Sequence, residues 1–179
     1  MVYILLAPGF EEMEALVPAD LLRRAGVEVA LVSLEGELVP GGRSIAVKAD
    51  LPLSEVKLEG MEALVLPGGG VGVANLGGDP RVEALVKQAA EQGKVLAAIC
   101  AAPSLLSKWG LLAGKKAVCY PTWQDKLAGA DYRPGDKLAV DGRTVTGQAA
   151  GASFEFGLKL IEVLRDAETA DRVRKEIYL

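Results

Sequence analysis

Val95-Leu96-Ala97-Ala98-Ile99-Cys100-Ala101-Ala102-Pro103 runs from unbroken apolar residues into a cysteine, two alanines and a proline. It begins as a continuous apolar run, which suits a strand buried on both faces of a parallel sheet. Pro103 fits the first position of a helix, where its missing N–H costs nothing. Cys100 is therefore expected on a tight strand-to-helix turn, with the small residues Ala98, Ala101 and Ala102 leaving room for it. Two readings of the cysteine stand side by side. It is a small buried hydrophobe at a strand end, or it sits on an elbow at the positive end of a helix, where its thiolate is favoured and reactive.

Outward from this stretch, strands and helices alternate. Val2–Leu6 reads as a first buried strand, ended by Pro8-Gly9. Glu11–Ala25 has helical spacing, with Pro18 expected to kink it and Gly26 to stop it. Val27–Ser33 reads as a second strand, and residues 34–50 as small strands or a hairpin. Glu62–Leu66 is a further strand, followed by Pro67-Gly68-Gly69-Gly70. A helix opens at Pro80 and closes near Gln92. Beyond Pro103, Lys116–Cys119 reads as a strand and Trp123–Ala128 as a turn or two of helix. Leu138–Val140 and Thr144–Thr146 flank Asp141-Gly142, a strong hairpin signal. Ser153–Leu164 and Glu168–Lys175 close the chain as helices. The fold class this implies is α/β: a doubly wound, mostly parallel sheet with helices on both faces, in a single domain over residues 1–179.

Composition excludes several function classes. A net charge of −4 with no basic stripe argues against nucleic acid. No apolar run reaches the length of a membrane span. Met1–Ala7 lacks a basic leader, so a cytoplasmic location is expected. Two cysteines make no disulfide framework there. The absence of histidine weighs most. It removes every Cys–His and Ser–His catalytic pair within one chain. A metal site would have only carboxylates and two thiols to draw on, and none is assigned. Whatever activates Cys100 must be a carboxylate, a backbone dipole or a cation.

In open parallel sheets the site forms at the carboxyl ends of the strands. Three loops share that edge: Pro8–Glu14, Pro67–Gly72 and Cys100-Ala101. Glu11 and Glu12 are read as complements of the helix dipole. Glu14 lies one turn further in and is placed to face inward. Buried beside a thiolate, its carboxyl would have a raised pKa, donate a hydrogen bond to sulfur and shuttle protons. The run Gly68-Gly69-Gly70-Val71-Gly72 lacks the third glycine of a dinucleotide fingerprint and does not follow the first strand. It is either a tight turn or a place where backbone N–H groups approach an oxyanion. Cys119 reads as a structural free thiol and Tyr120 as a hydrogen-bond donor near the site. Trp109 and Trp123 read as packing residues.

Four motifs together resemble the DJ-one/ThiJ/PfpI superfamily, in its DJ-one branch. They are Gly9-Phe10-Glu11-Glu12-Met13-Glu14, Leu66-Pro67-Gly68-Gly69, Ala97 to Pro103, and Gly151-Ala152-Ser153-Phe154-Glu155-Phe156. The resemblance runs from Val2 to about Leu164. It implies a flavodoxin-like sandwich, a homodimer, a reactive Cys100 and a protonated partner at Glu14. It further implies oxyanion contacts from the N–H groups of Gly69 and Ala101, and places Arg24 and Arg43 near the site or a dimer interface. Family members are described as glutathione-independent glyoxalases, as deglycases of glycated proteins, and as oxidative-stress sensors or chaperones. The implied substrate is a small reactive dicarbonyl or a glycated protein, handled without a cofactor. Two departures bear on substrate preference: Tyr120 stands where human-type members carry histidine, and Gln148 where they carry arginine. The rival to the enzyme is a redox sensor whose Cys100 oxidises to sulfinate. A cysteine hydrolase of peptides is weakened by the missing histidine.

Overall fold

A strand with no exposed side chain needs a neighbour on each edge and helices over each face. Val95–Ile99 has all four. The computed structural model describes residues 1–179. In chain order the elements are β1 (Val2–Leu6), α1 (Glu12–Arg24), β2 (Val29–Ser33), β3 (Leu38–Pro40), β4 (Ala46–Lys48), β5 (Leu51–Pro52), β6 (Ala63–Leu66), α2 (Gly70–Gly78), α3 (Pro80–Glu91), β7 (Val95–Ile99), α4 (Pro103–Lys108), β8 (Lys116–Ala117), β9 (Asp131–Tyr132), β10 (Leu138–Asp141), β11 (Thr144–Gly147), α5 (Ser153–Leu164) and α6 (Ala167–Glu176). Seven strands form one sheet in the order β10-β11-β7-β6-β1-β2-β5. Every neighbouring pair is parallel except the β10–β11 hairpin. The doubly wound α/β reading holds.

Strand pleat divides the core in two. Tyr3, Leu5, Leu64, Leu66 and Leu96 face Val73, Leu76, Val82, Val86 and Leu105 of α2, α3 and α4. Val2, Ile4, Val65, Val95 and Ile99 face Leu21, Leu22, Phe156, Ile161 and Val173 of α1, α5 and α6. Register fixes this sorting, because Leu64 pairs with Leu96 and Val65 with Ala97. No helix is long and apolar enough to cross a membrane.

Three local readings need correction. Gly70–Gly78 is a helix, not a continuation of the glycine loop. Its glycines oppose helix formation by propensity, but close packing requires them. A Cβ on Gly72 would lie 2.7 Å from Phe10 Cα, and one on Gly77 would lie 2.6 Å from Leu105 Cδ2. The expected strand Lys116–Cys119 shrinks to Lys116–Ala117, which pairs with β9 outside the main sheet. Val118 N–H is already taken by the Thr146 hydroxyl, 3.0 Å away, and Pro121 opens a 3-10 turn through Lys126. Residues 34–50 form the β3–β4 hairpin, but the short β5 that follows extends the main sheet unannounced.

The closest helix pair is α1 on α5. A Cβ on Gly157 would lie 2.7 Å from Leu21 Cδ1 and 3.1 Å from Pro18 Cα. Both contacts are backed by rigid packing. Gly157→Val should therefore destabilise the fold by about 1–3 kcal/mol through overpacking. Urea unfolding measures this, and an unchanged midpoint would contradict the spacing of the two helices.

Candidate active site

The strands β7, β6 and β1 are adjacent, so their carboxyl ends bring three loops together. Backbone hydrogen bonds stitch these loops. Glu11 N–H donates to Gly68 O at 3.0 Å, and Gly72 N–H to Gly9 O at 3.1 Å. Gly69, at φ 89°, caps α2 with its Cα against Gly9 O and Glu11 N, where no side chain fits.

Cys100 follows the last residue of β7 and has φ 65°, one of three non-glycine residues in the left-handed region. Such a conformation costs about 1–3 kcal/mol and persists only where surroundings over-determine it. Here both peptide groups are pinned. Cys100 N–H donates to Gly147 O of β11 at 2.9 Å, and Cys100 O accepts from Tyr120 N–H at 2.7 Å. The strand-to-helix elbow expected from the sequence is present, and it aims the side chain into a cavity of about 660 Å³.

Glu14 reaches the same point from the first turns of α1 and is fully buried. Its Oε2 accepts from Gly68 N–H at 2.7 Å. Its Oε1 has no hydrogen-bond partner, and the carboxyl lies within electrostatic reach of the Cys100 thiol. Gly68 permits this approach: a Cβ there would lie 2.5 Å from Glu14 Oε2 and 2.7 Å from Cys100 Cβ. Burial raises the Glu14 pKa to about 7. Burial, then the Glu14 charge, pushes the Cys100 thiol up to about 12, against the N–H groups of Gly69 and Ala101, which point at the sulfur. The sequence leads one to expect a thiolate favoured by a helix end. Desolvation and the carboxylate outweigh that dipole while Glu14 is ionised.

The remaining expected residues divide. Gly69 and Ala101 line the cavity, as do Tyr120 and Arg43. Tyr120 contributes its backbone N–H to Cys100, while its half-exposed hydroxyl engages nothing in the protein. Arg24 is not at the cavity: it is bound on the surface by Asp20 and Glu176, at 2.7 and 2.8 Å. It lies on the last turn of α1, at the end of the helix away from Glu14. Glu12 is not a mere dipole complement. It is buried, and its Oε1 accepts from Arg43 N–H at 2.6 Å, tying the β3–β4 hairpin to α1. Glu11 does cap the helix, accepting from Glu14 N–H at 2.9 Å. Trp109 is core; Trp123 packs against the core cluster and is also a wall of the cavity. Ala149 to Gly151 also line it, from the end of β11. The strand-end rule that found the other loops extends to this one, once β11 is known to lie beside β7. Cys119 is a buried free thiol, and Cys100 is unpaired. No three His, Cys, Asp or Glu side chains gather as a metal site.

The chain and its fold are similar to known proteins. Protein dj-1beta of Drosophila melanogaster is 37% identical over 178 residues, covering 98% of this chain and 95% of that protein. The crystal structure of Drosophila DJ-1beta superposes with a TM-score of 0.95 over 99% of this chain and 97% of that one, at 35% identity. The structure of oxidized Toxoplasma gondii DJ-1 gives 0.94 at 38% identity, over 99% and 97%. The glutathione-independent glyoxalase DJR-1.2 of Caenorhabditis elegans is 31% identical over 178 residues, 98% of this chain and 95% of that protein. Residues 1–163 match the DJ-1/PfpI family, and the chain belongs to it.

Proposed function

We propose that the protein is a cofactor-independent glyoxalase that converts methylglyoxal or glyoxal to a 2-hydroxy acid. The observation that supports this best is the buried contact between Glu14 and Cys100 beneath two converging N–H groups. The two groups hold one proton between them near neutral pH, because the carboxyl loses its proton near 7 and the thiol near 12. Transfer of that proton from sulfur to carboxyl needs no exchange with water. It removes the carboxylate charge that opposes the thiolate, and it gives sulfur a hydrogen-bond donor.

The thiolate attacks the aldehyde carbon, and the oxygen takes the Glu14 proton, giving a hemithioacetal. The Glu14 carboxylate then removes the hydrogen on that carbon as a proton. An enediolate forms with its charge on the neighbouring oxygen, the hydroxyl proton passes to that oxygen, and Glu14 returns its own proton to the adjacent carbon. The product is a 2-hydroxyacyl thioester on Cys100. Water hydrolyses it, releasing lactate or glycolate and restoring the thiol. The N–H groups of Gly69 and Ala101 steady negative charge on sulfur and on the neighbouring oxygen. On an early adduct of a protein amine or thiol, Cys100 replaces the amine or thiol on that same carbon while Glu14 protonates the departing group, so deglycation uses the same residues. The glyoxalase name of the C. elegans relative supports this reading. The oxidized T. gondii structure favours a second one, in which peroxide oxidises Cys100 as a sensor.

Lactate formed from methylglyoxal without glutathione separates the two. Many turnovers are expected from the parent, with losses of at least about a hundredfold in Cys100→Ser and Glu14→Gln. Equal silence in all three, with Cys100 still consuming peroxide, would transfer the site to the sensor reading.

The shared proton has a signature in alkylation by iodoacetamide. The parent rate should rise through about pH 7, where the pair loses its first proton. Glu14→Gln should lose that inflection, its rate following only the thiol's own ionisation at higher pH. An unchanged profile would disprove proton sharing.

Stability carries the opposite sign. Glu14 binds its proton more tightly folded (about 7) than unfolded (4.5). Its contribution is full below pH 4.5 and is lost as pH rises through 7. Denaturant midpoints for the parent should fall across that window. In Glu14→Gln the fall should be shallower; equal slopes would exclude a raised Glu14 pKa.

A further inference from the structure

The cavity above Cys100 is larger than methylglyoxal requires. At about 660 Å³ it falls in the range of about 300–1,000 Å³ that encloses drug-sized ligands. The surplus space is bounded in part by two aromatic side chains, Tyr120 and Trp123. Neither is wholly buried: Tyr120 is 42% exposed, and Trp123 is partly buried, packed against the core cluster while it also lines the cavity.

Trp123 is a partition. Its ring lines the catalytic cavity and also a neighbouring groove formed with Ser104, Lys108 and Lys126. Lys126 lines the groove alone, and its Nζ lies 3.8 Å from the ring centroid. A cation on one face holds the ring in place. Tyr120 is held at its base, because its N–H binds the carbonyl of Cys100 itself. Two aromatic residues are therefore held in the wall of the cavity that contains Cys100.

We propose that Tyr120 and Trp123 form an aromatic subsite, and that the preferred substrates are 2-oxoaldehydes carrying an aryl or extended apolar group. The proposal deepens the glyoxalase reading and rests on it. The dicarbonyl end occupies Cys100, Glu14 and the two N–H groups, as in the smaller substrate. The substituent lies against the indole and phenol, where offset or edge-to-face contact and water exclusion favour it.

The test compares kcat/KM for phenylglyoxal and methylglyoxal, read as mandelate and lactate. The parent should prefer phenylglyoxal by about tenfold, chiefly through KM. Trp123→Ala should abolish that ratio and Trp123→Phe should keep most of it. A parent ratio at or below one, or a ratio unmoved by Trp123→Ala, would overturn the subsite. A binding measurement separates this failure from that of the glyoxalase reading. The chain has two tryptophans, so Trp109→Phe leaves Trp123 as the reporter. Unreactive 2-hydroxyacetophenone should quench its fluorescence saturably. Quenching without turnover of either dicarbonyl would reject the glyoxalase and keep the aromatic subsite; absence of both would reject the two together.

Discussion

Cys100 occupies a backbone conformation that its own side chain disfavours, and the hydrogen bonds that hold it there come from two other segments. Gly147 at the end of β11 accepts from its N–H, and Tyr120 donates to its carbonyl. Neither bond can form unless β11 lies beside β7 and the 116–126 segment returns across the sheet edge. The order β11-β7-β6-β1 is thus a condition for the elbow as well as for the core. Glycines supply the matching closeness on the other side. Gly68 brings Glu14 against the sulfur, and Gly69 and Gly72 let the β1 and β6 loops touch backbone to backbone.

Burial then sets the chemistry. Glu14 is fully buried with a single backbone donor, so its charge is expensive. Cys100 is partly desolvated too, and two N–H groups do not offset that alone. The ionised Glu14 carboxylate in turn opposes ionisation of Cys100. A site that disfavours two charges but accommodates one is suited to passing a proton back and forth, which the proposed rearrangement demands.

Much of this was legible in the residues. The apolar run Val95–Ile99, ending at Cys100 and Pro103, carried the strand, the turn and the helix. Strand alternation carried the sheet, and its carboxyl edge brought Glu14, Gly69 and Cys100 together before any coordinates. What could not be read were features decided by neighbours distant in sequence. Gly70–Gly78 has the composition of a loop, and only contact with Phe10 and Leu105 makes its glycines an advantage in a helix. Glu12 looks like any acidic residue in a first helical turn until the β3–β4 hairpin folds over it. Trp123 looks like core because large aromatic residues usually are, and a 3-10 turn also stands it at the cavity wall. Arg24 matched a pattern in sequence but pairs with α6 on the surface.

The elbow separates two kinds of work. Main-chain groups fix the position of the reacting atom: Gly147, Tyr120, Gly68, Gly69 and Ala101 all act through their peptides. Side chains on separate loops dress the walls, with Arg43 on the hairpin, Tyr120 and Trp123 on the 3-10 segment, and Ala149 to Ala150 after β11. Peptide groups are present whatever residue is encoded, glycine positions apart. The walls can therefore be exchanged by point mutation while the reactive centre stays in register, and such a scaffold can drift among substrates without first losing its catalyst.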